Sequence, residues 1–235
     1  MKPFYFRPGT IDESVYQAIV TENEYCLPAT LPPQHFIIDI GAHIGSFSWL
    51  CWFRGARNII AFEADAGNAE SARKNLNETS VQLIESAVWR SDCASPVLFN
   101  SGYSRMLPDG PDPVGINTGS VQVFATSGSR ITSVPLDEVI GDKRVDILKL
   151  DCEGSEYPIL LTSKKLKNIC LIVGEYHNLD EIPSIARVNE VESFSVGTLV
   201  DLLTKLRFKV EIKPHPLQQF SSKVGLFFAR NMDWD

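Results

Sequence analysis

Short runs of β-branched and aliphatic residues alternate along this chain with longer segments of helical periodicity, and no other feature constrains the fold as strongly. The first runs end in a glycine turn or a polar residue, and a helical pattern follows. Units of strand, helix and strand place their strands parallel in one sheet and their helices on its faces. The sequence therefore predicts an α/β fold with a doubly wound, mostly parallel sheet.

Seven strands are predicted for this sheet. Residues 208–212 and 224–229 are joined through a proline-containing turn without a helix, so we expect them to pair antiparallel at one edge. The other strands are separated by longer connections, as parallel neighbours require. The predicted strands cover residues 36–40, 58–62, 81–85, 145–150, 169–173, 208–212 and 224–229.

The chain is predicted to form a single domain over residues 1–235. Its 44% of hydrophobic residues provide a large core, and no internal repeat divides it. Residues 1–35 are interpreted as a helical lid, because apolar residues with helical spacing precede a proline-rich stretch. Residues 91–136 are rich in proline and glycine where a crossover helix is expected. We interpret them as an insertion of loop and β-hairpin, in which 121–125 and 131–136 alternate like paired strands.

Charge and cysteine usage exclude several classes of protein. The formal net charge of -7 and the absence of a basic stripe argue against a nucleic acid partner. The longest nearly apolar run, residues 46–53, is far below the roughly 20 residues that cross a bilayer, so we expect no membrane span. Five cysteines without a Cys-x-x-Cys pair predict neither a zinc ribbon nor a disulfide framework. No secretory signal is visible, so these features predict a cytoplasmic protein. The sequence does not predict its oligomeric state.

A glycine turn of sequence Asp-Ile-Gly-Ala-His-Ile-Gly covers residues 39–45, between the first strand and its helix. In an open parallel sheet, ligands bind outside the carboxyl ends of such strands. A dinucleotide fingerprint starting at Gly41 would need further glycines where His43 and Ser46 stand. The acidic residue before the turn, Asp39, would repel a pyrophosphate and attract an ammonium group. The turn therefore suits S-adenosylmethionine better than NAD.

The ends of the next two strands add to this predicted cofactor site. Glu63 ends the second strand, where a carboxylate can accept both hydroxyls of a ribose. Ser86 follows the third strand, where a doubly wound fold touches the adenine edge. The predicted cofactor-binding residues are Asp39, Gly41, Ala42, His43, Gly45, Glu63, Ala64, Ser86 and Ala87.

Five segments of the chain resemble those of the FkbM-type methyltransferases in sequence, order and spacing. The resemblance extends from about residue 25 to residue 230 of this chain. The most discriminating is Leu-Lys-x-Asp-x-Glu-Gly-x-Glu, which begins at Leu148. Ala64 departs from the family pattern, where a proline is common, and Gly174 stands where a bulkier apolar residue is usual. The resemblance implies a class I methyltransferase fold, S-adenosylmethionine as cofactor and, typically, O-methylation of a hydroxyl on a saccharide or natural product. The segments cover residues 38–45, 61–64, 136–140, 147–156 and 173–177.

Methylation of an alcohol requires a group that removes its proton, and candidates follow the fourth and fifth strands. We predict His177 as the base, oriented by Glu175 or Asp151. Asp151 could instead cap the helix that starts near residue 155. Glu153 and Glu156 could serve only the dipole of that helix.

Three alternatives stay open from the sequence. Carboxylates beside a histidine could hold Mg²⁺, but no tight ligand spacing is visible, so we expect no metal. The chain could be a cofactor-binding or interaction module that has lost turnover. A less favoured alternative is an NAD-linked oxidoreductase. The small-molecule or saccharide acceptor itself is not identified by the sequence.

Overall fold

A single sheet of seven strands runs through the centre of the molecule in a computed structural model that describes residues 3–93, 98–105, 115–215 and 220–234. Each strand is rich in β-branched or aromatic residues, which suit a pleated and buried position. In chain order the strands are β1 (Phe36–Ile40), β2 (Asn58–Glu63), β3 (Gln82–Glu85), β4 (Val145–Leu150), β5 (Ile169–His177), β6 (Phe208–Pro214) and β7 (Val224–Asn231).

The strands lie in the order β6-β7-β5-β4-β1-β2-β3. The five strands from β5 to β3 are parallel to their neighbours. Strand β7 runs antiparallel to both β5 and β6, so the antiparallel pairing expected at one edge is present. The predicted α/β class with a mostly parallel seven-stranded sheet is therefore confirmed.

Helices flank this sheet and separate the parallel strands. Asp65 caps the helix after β2, because its side chain accepts a hydrogen bond of 2.8 Å from the backbone N–H of Asn68. The helix expected to start near residue 155 covers Glu156–Thr162 and is followed by a short 3₁₀ turn. The helices are α1 (Asp12–Tyr16), α2 (Ser46–Phe53), α3 (Ala66–Leu76), α4 (Leu136–Ile140), α5 (Glu156–Thr162) and α6 (Val196–Lys205).

Hydrophobic side chains on the two faces of the sheet form two clusters. Strand β1 is buried along its whole length and contributes to both. Ile37 belongs to the cluster that includes α2 and the buried Tyr25, whereas Ile38 belongs to the cluster on the other face. Because successive side chains of a strand point to opposite faces, this continuous apolar run is explained by burial on both sides.

The segment between β3 and β4 contains short paired strands, as the predicted β-rich insertion requires. The hairpin predicted between 121–125 and 131–136 is wrong, because residues 130–131 pair with 98–99 and residues 136–140 form α4. Parts of the insertion, 94–97 and 106–114, lie outside the described residues. The short pairs are Ala87–Trp89 with Ser133–Pro135, Leu98–Phe99 with Arg130–Ile131, and Ser104–Arg105 with Ile116–Asn117.

The amino-terminal segment packs beside the carboxyl edge of the sheet. After α1 comes one turn of π-helix, Gln17–Thr21, and the chain from residue 22 to β1 contains no helix. Among its described residues, the helical lid predicted over residues 1–35 thus contains only these two short helical segments. Within the part of the chain that the structure describes, no helix has the length and apolar character of a membrane span.

Candidate functional site

A cavity of about 420 Å³ lies at the carboxyl ends of β1, β2, β4 and β5. Seven residues between Ile11 and Tyr25 of the amino-terminal segment line one wall, and the insertion contributes residues that include Asn117 and Val123 to another. Open parallel sheets bind ligands at this edge, where the strand order reverses. The cavity is therefore the candidate site, with the glycine turn at its centre.

The glycine turn follows β1 and crosses the edge of the sheet closely. Gly41 has a φ of 77°, and a Cβ added there would lie 1.8 Å from the backbone oxygen of Asp151. Only glycine fits this combination of conformation and contact. The backbone N–H groups of Gly41 and Ala42 both donate to the oxygen of Phe62, at 3.0 and 2.9 Å. These contacts hold the turn against the end of β2.

Glu63 at the end of β2 is anchored by this turn. Its Oε2 accepts a hydrogen bond of 2.7 Å from the backbone N–H of His43, and its Oε1 accepts one of 2.8 Å from that of Asp65. The residue is 6% exposed, and burial raises the pKa of its carboxyl to about 7. Each oxygen retains lone pairs toward the cavity that Glu63 lines, so the carboxylate can accept two ligand hydroxyls.

The wall next to Glu63 is narrow and mostly apolar. Phe62, Ala64, Ala87 and Val88 line it together with Ser86. The Ser86 hydroxyl donates to the backbone oxygen of Thr132 at 2.9 Å. This hydroxyl is therefore engaged in holding the insertion against the sheet.

A buried lysine links the glycine turn to the other end of the cavity. Lys149 Nζ donates to the Gly41 oxygen at 2.6 Å and lies 3.4 Å from Asp39 Oδ1 and 3.8 Å from Asp151 Oδ2. Burial lowers the pKa of Lys149, but the Asp39 and Asp151 carboxylates outweigh burial, so the pKa is raised. Asp39 also accepts a hydrogen bond of 2.7 Å from Ser48 Oγ.

Sequence reasoning assigned no role to Lys149, although one signal was available. A lysine inside a strand that is otherwise buried and apolar needs a partner, because an unpaired buried charge is costly.

The far end of the cavity is acidic. Glu24, Asp151, Glu153 and Glu175 line it, and the Tyr25 hydroxyl donates to Asp151 Oδ2 at 3.3 Å. Burial raises the pKa of Glu24 to about 8 and that of Glu153 to about 7, and neighbouring carboxylates add to both shifts. Burial and Asp151 also raise the pKa of Glu175. Concentrated negative charge of this kind favours a positively charged ligand or group.

His177 lies behind this acidic wall rather than on it. Its Nδ1 is 3.0 Å from Glu156 Oε1, and its Nε2 is 3.5 Å from Glu175 Oε2 and 3.7 Å from Glu153 Oε2. Burial lowers the pKa of His177, but Glu153 and Glu156 outweigh burial and raise it well above its usual value. Asp151, Glu175 and His177 each offer a ligand atom within 4.8 Å of one another, so this set could hold a metal ion.

The local geometry around α5 bears on two of the alternatives left open by the sequence. Glu156 accepts from the backbone N–H of Cys152 at 2.9 Å and from that of Gly154 at 2.8 Å, so it stabilises the turn before α5. Ser155, not Asp151, stands at the N-cap of α5. Asp151 faces the cavity instead.

His43 connects the glycine turn to the amino-terminal segment and to the insertion. Its Nε2 is 2.7 Å from Thr118 Oγ1, and Thr118 Oγ1 donates to Asp12 Oδ1 at 2.9 Å. Arg7 donates to the same carboxylate at 2.7 and 2.8 Å. Burial lowers the pKa of His43 to about 4, so the ring is neutral. Because the Thr118 proton goes to Asp12, His43 Nε2 donates and its Nδ1 is left as an acceptor.

The structure brings most of the predicted site residues to one cavity. The exceptions are Asp39 and Gly45, which support the glycine turn from behind, and His177, which lies behind the acidic wall. Predicted residues on the wall are Gly41, Ala42, His43, Glu63, Ala64, Ser86, Ala87, Asp151 and Glu175.

Comparison with known proteins identifies relatives of the chain. The family model described as methyltransferase FkbM domain matches residues 39–210. That range contains the glycine turn, Glu63, and the acidic residues of β4 and β5.

The chain is similar to one curated protein in sequence and to solved methyltransferases in structure. AMB antimetabolite synthetase AmbE of Pseudomonas aeruginosa is 25% identical over 253 residues, which cover 93% of this chain and 12% of that protein. The chain thus spans about an eighth of that relative. Precorrin-6y C5,15-methyltransferase of Geobacter metallireducens superimposes with a TM-score of 0.50 at 14% identity, covering 96% of this chain and 92% of the other. Methyltransferase FkbM of Methylobacillus flagellatus gives a TM-score of 0.47 at 13% identity, covering 91% and 47%.

Proposed function

The chain belongs to the methyltransferase FkbM domain family, and from this premise we propose that it transfers a methyl group from S-adenosylmethionine to a hydroxyl of a saccharide or natural product. The observation that carries the proposal is the position of Glu63, which faces the cavity at the end of β2 with both oxygens held by backbone N–H groups. A carboxylate fixed in this way accepts the two hydroxyls of a ribose without reorganisation.

The residues on this side of the cavity fit the cofactor. Phe62, Ala64 and Val88 provide an apolar slot next to Glu63 for a flat adenine ring. His43 Nδ1 is buried without a hydrogen-bond partner among the described residues, and His43 lines the same cavity. A buried unpaired acceptor on a residue that lines the cavity supports a ligand with donor groups, such as the hydroxyls and the ammonium group of the cofactor.

Each part of the cofactor has a proposed partner. Glu63 binds the ribose, and the slot that includes Ser86 and Ala87 binds the adenine. Gly41 and Ala42 leave room beside the turn for the amino-acid part, while Asp39 and Gly45 keep the turn in place. When bound, S-adenosylmethionine supplies an electrophilic methyl group on a sulfonium.

The acidic end of the cavity is proposed to receive the acceptor. Asp151 and Glu175 line the wall there, so they orient the hydroxyl that is methylated. Its proton passes to a carboxylate of this wall, and we assign Glu153, which lines the cavity and extends from a backbone held at a φ of 55°. The role of base predicted for His177 stays a prediction. Its ring lies behind the carboxylates, with Nε2 directed toward Glu175 and Glu153, so the proposal gives the proton to Glu153 instead.

Two features support a bulky, polyhydroxylated or natural-product acceptor. The amino-terminal segment and the insertion form walls of the cavity outside the sheet, so they offer an acceptor contacts beyond those at the strand ends. AmbE, by its name, is an antimetabolite synthetase, and the similarity to part of it supports a natural-product acceptor. A nucleic acid acceptor is disfavoured by the net charge of -7.

A labelled transfer assay tests the proposal. Purified chain with S-adenosylmethionine carrying a tritiated methyl group should label at least one member of a panel of saccharides and hydroxylated natural products. Glu153→Gln should lower that rate about 10²-fold or more while the affinity for S-adenosylhomocysteine is unchanged, because it removes only the proton acceptor. Cofactor binding without label transfer to any acceptor would favour the silent module, and a spectral change on adding NADH would favour the oxidoreductase.

A further inference from the structure

The acidic end of the cavity contains a group of side chains that the proposed methyl transfer leaves partly unexplained. Asp151, Glu175 and His177 come from the ends of the adjacent strands β4 and β5. One ligand atom of each lies within 4.8 Å of the other two. Ligand atoms about 2.1 Å from one Mg²⁺ are about 3.0 to 4.2 Å apart, so small side-chain rotations bring these atoms to a shared ion.

His177 has the orientation that is typical of a histidine that binds a metal ion. Both oxygens of Glu156 accept backbone N–H groups, so this residue is a fixed carboxylate. His177 Nδ1 lies 3.0 Å from Glu156 Oε1 and donates to it. The remaining nitrogen, Nε2, is thereby directed toward Glu175 and Glu153. A histidine whose second nitrogen donates to a carboxylate is the usual arrangement behind a metal ligand.

Two further observations point to an occupant beside Nε2. Its distances of 3.5 Å to Glu175 Oε2 and 3.7 Å to Glu153 Oε2 are longer than a well-formed N–H···O hydrogen bond. Ser155 lines the same cavity and is 1% exposed, and its Oγ has no hydrogen-bond partner within the described parts of the chain. A buried free hydroxyl in the lining of this cavity suits a water molecule bound to a cation.

We propose that Asp151, Glu175 and His177 bind one divalent cation, Mg²⁺ or Mn²⁺, at the wall of the acceptor side of the cavity. Two carboxylates and one imidazole form a donor set of hard oxygens with a single nitrogen, which these ions accept. Three protein ligands leave the remaining coordination positions for water and for the acceptor. The expectation of no metal relied on spacing along the chain, whereas these ligands meet only because β4 and β5 are adjacent.

The role of the cation rests on the proposed function. A hydroxyl oxygen bound to the ion loses its proton more readily, and the ion fixes its direction toward the methyl donor. The proton passes to Glu153, which lines the same wall and is not among the three ligands. The binding site itself requires neither cofactor nor acceptor.

Manganese binding, followed by electron paramagnetic resonance of free Mn²⁺, tests the proposal on the full chain without cofactor. The wild type should bind one Mn²⁺, and Mg²⁺ should displace it. Glu175→Gln and, separately, Asp151→Asn should weaken Mn²⁺ binding at least tenfold, because each removes a charged ligand. Glu211→Gln, an exposed carboxylate change on β6, is the matched control and should bind as the wild type does.

The outcomes separate this proposal from the proposed function. Absence of Mn²⁺ binding by the wild type, or equal binding by both ligand variants, would overturn the metal site. Circular dichroism and S-adenosylhomocysteine titration of the variants show whether they are folded, and a folded variant with weakened Mn²⁺ binding supports it. A chain that binds Mn²⁺ but not S-adenosylhomocysteine would contradict the proposed function and leave the metal site intact.

Discussion

The two ends of the cavity are built in different ways. At the cofactor end, Glu63 and Gly41 are held by backbone hydrogen bonds and backbone contacts that follow from adjacent strands. At the acceptor end, Asp151, Glu175 and His177 contact neighbouring side chains instead, at distances of 3.0 Å or more. Backbone contacts give a shape that does not depend on the occupant, whereas a wall of like charges adapts to what binds there. A shared cofactor and a variable acceptor require this division.

Lys149 contacts Gly41 and Asp39 at the cofactor end of the cavity and lies near Asp151 at the acceptor end. Its replacement should therefore have the largest effect on stability. Lys149→Met leaves Asp39 buried and without its cation, which should lower the free energy of unfolding by about 3–5 kcal/mol. Adding Asp39→Asn to this variant should recover part of the loss, because the unpaired charge is then absent. Urea denaturation of the two single variants and the double variant measures both effects. Additive losses in the double variant would contradict the pairing.

The backbone-built end is tested by comparing two glycines of nearly equal conformation. Gly41 has a φ of 77° with a backbone oxygen 1.8 Å from an added Cβ, whereas Gly9 has a φ of 72° with no atom within 4 Å. Gly9→Ala should cost only the left-handed conformation, about 1–2 kcal/mol. Gly41→Ala should cost about 2–5 kcal/mol in total, because the overlap with Asp151 adds about 1–3 kcal/mol. Equal losses of unfolding free energy would show that the close approach is unimportant.

The smallest expected effect is the pH dependence of cofactor affinity. It tests whether the single carboxyl of Glu63, rather than the group of carboxyls at the acceptor end, controls binding of the cofactor. Burial raises the pKa of Glu63 to about 7, and ribose hydroxyls donate to its ionised form. The affinity for S-adenosylhomocysteine should therefore rise with pH through about 7 and level off above it. About one tenth of the carboxyl is ionised at pH 6, so binding there should be up to about tenfold weaker than at pH 8. Calorimetry at both pH values measures this difference, and an equal pH dependence in Glu63→Gln would assign it to another group.

Sequence patterns located the glycine turn and Glu63 at the edge of the sheet more directly than they located the contacts of the acidic wall, for a physical reason. Residues 39–45 and Glu63 are placed by strand ends, and strand ends can be located from runs of apolar residues. The same runs predicted the sheet and its antiparallel pairing, both of which the structure confirms. Local sequence patterns are therefore sufficient to locate site residues that are positioned by the backbone at strand ends.

The acceptor end depends on contacts between residues far apart in the chain. The hydrogen bond from Tyr25 to Asp151 joins residues 126 positions apart, and no local pattern predicts it. Asp151, Glu175 and His177 were candidates because of their residue types. The sequence could not show that the two carboxylates line the cavity while the imidazole lies behind them, because this depends on the packing of α5 against the sheet. The hairpin in the insertion was wrong because alternation predicts a strand but not its partner.

The central claim is that Glu63 holds the ribose of an adenosine cofactor, and titration calorimetry with S-adenosylhomocysteine tests it most directly. Glu85 pairs in register with Glu63 on the neighbouring strand but forms an exposed ion pair with Arg73, so Glu85→Gln is the matched control. The account predicts one bound molecule per chain in the wild type and in Glu85→Gln with equal affinity. In Glu63→Gln it predicts binding at least tenfold weaker, a loss of about 1.4 kcal/mol or more. Equal affinity in Glu63→Gln, or no binding by the wild type, would contradict it.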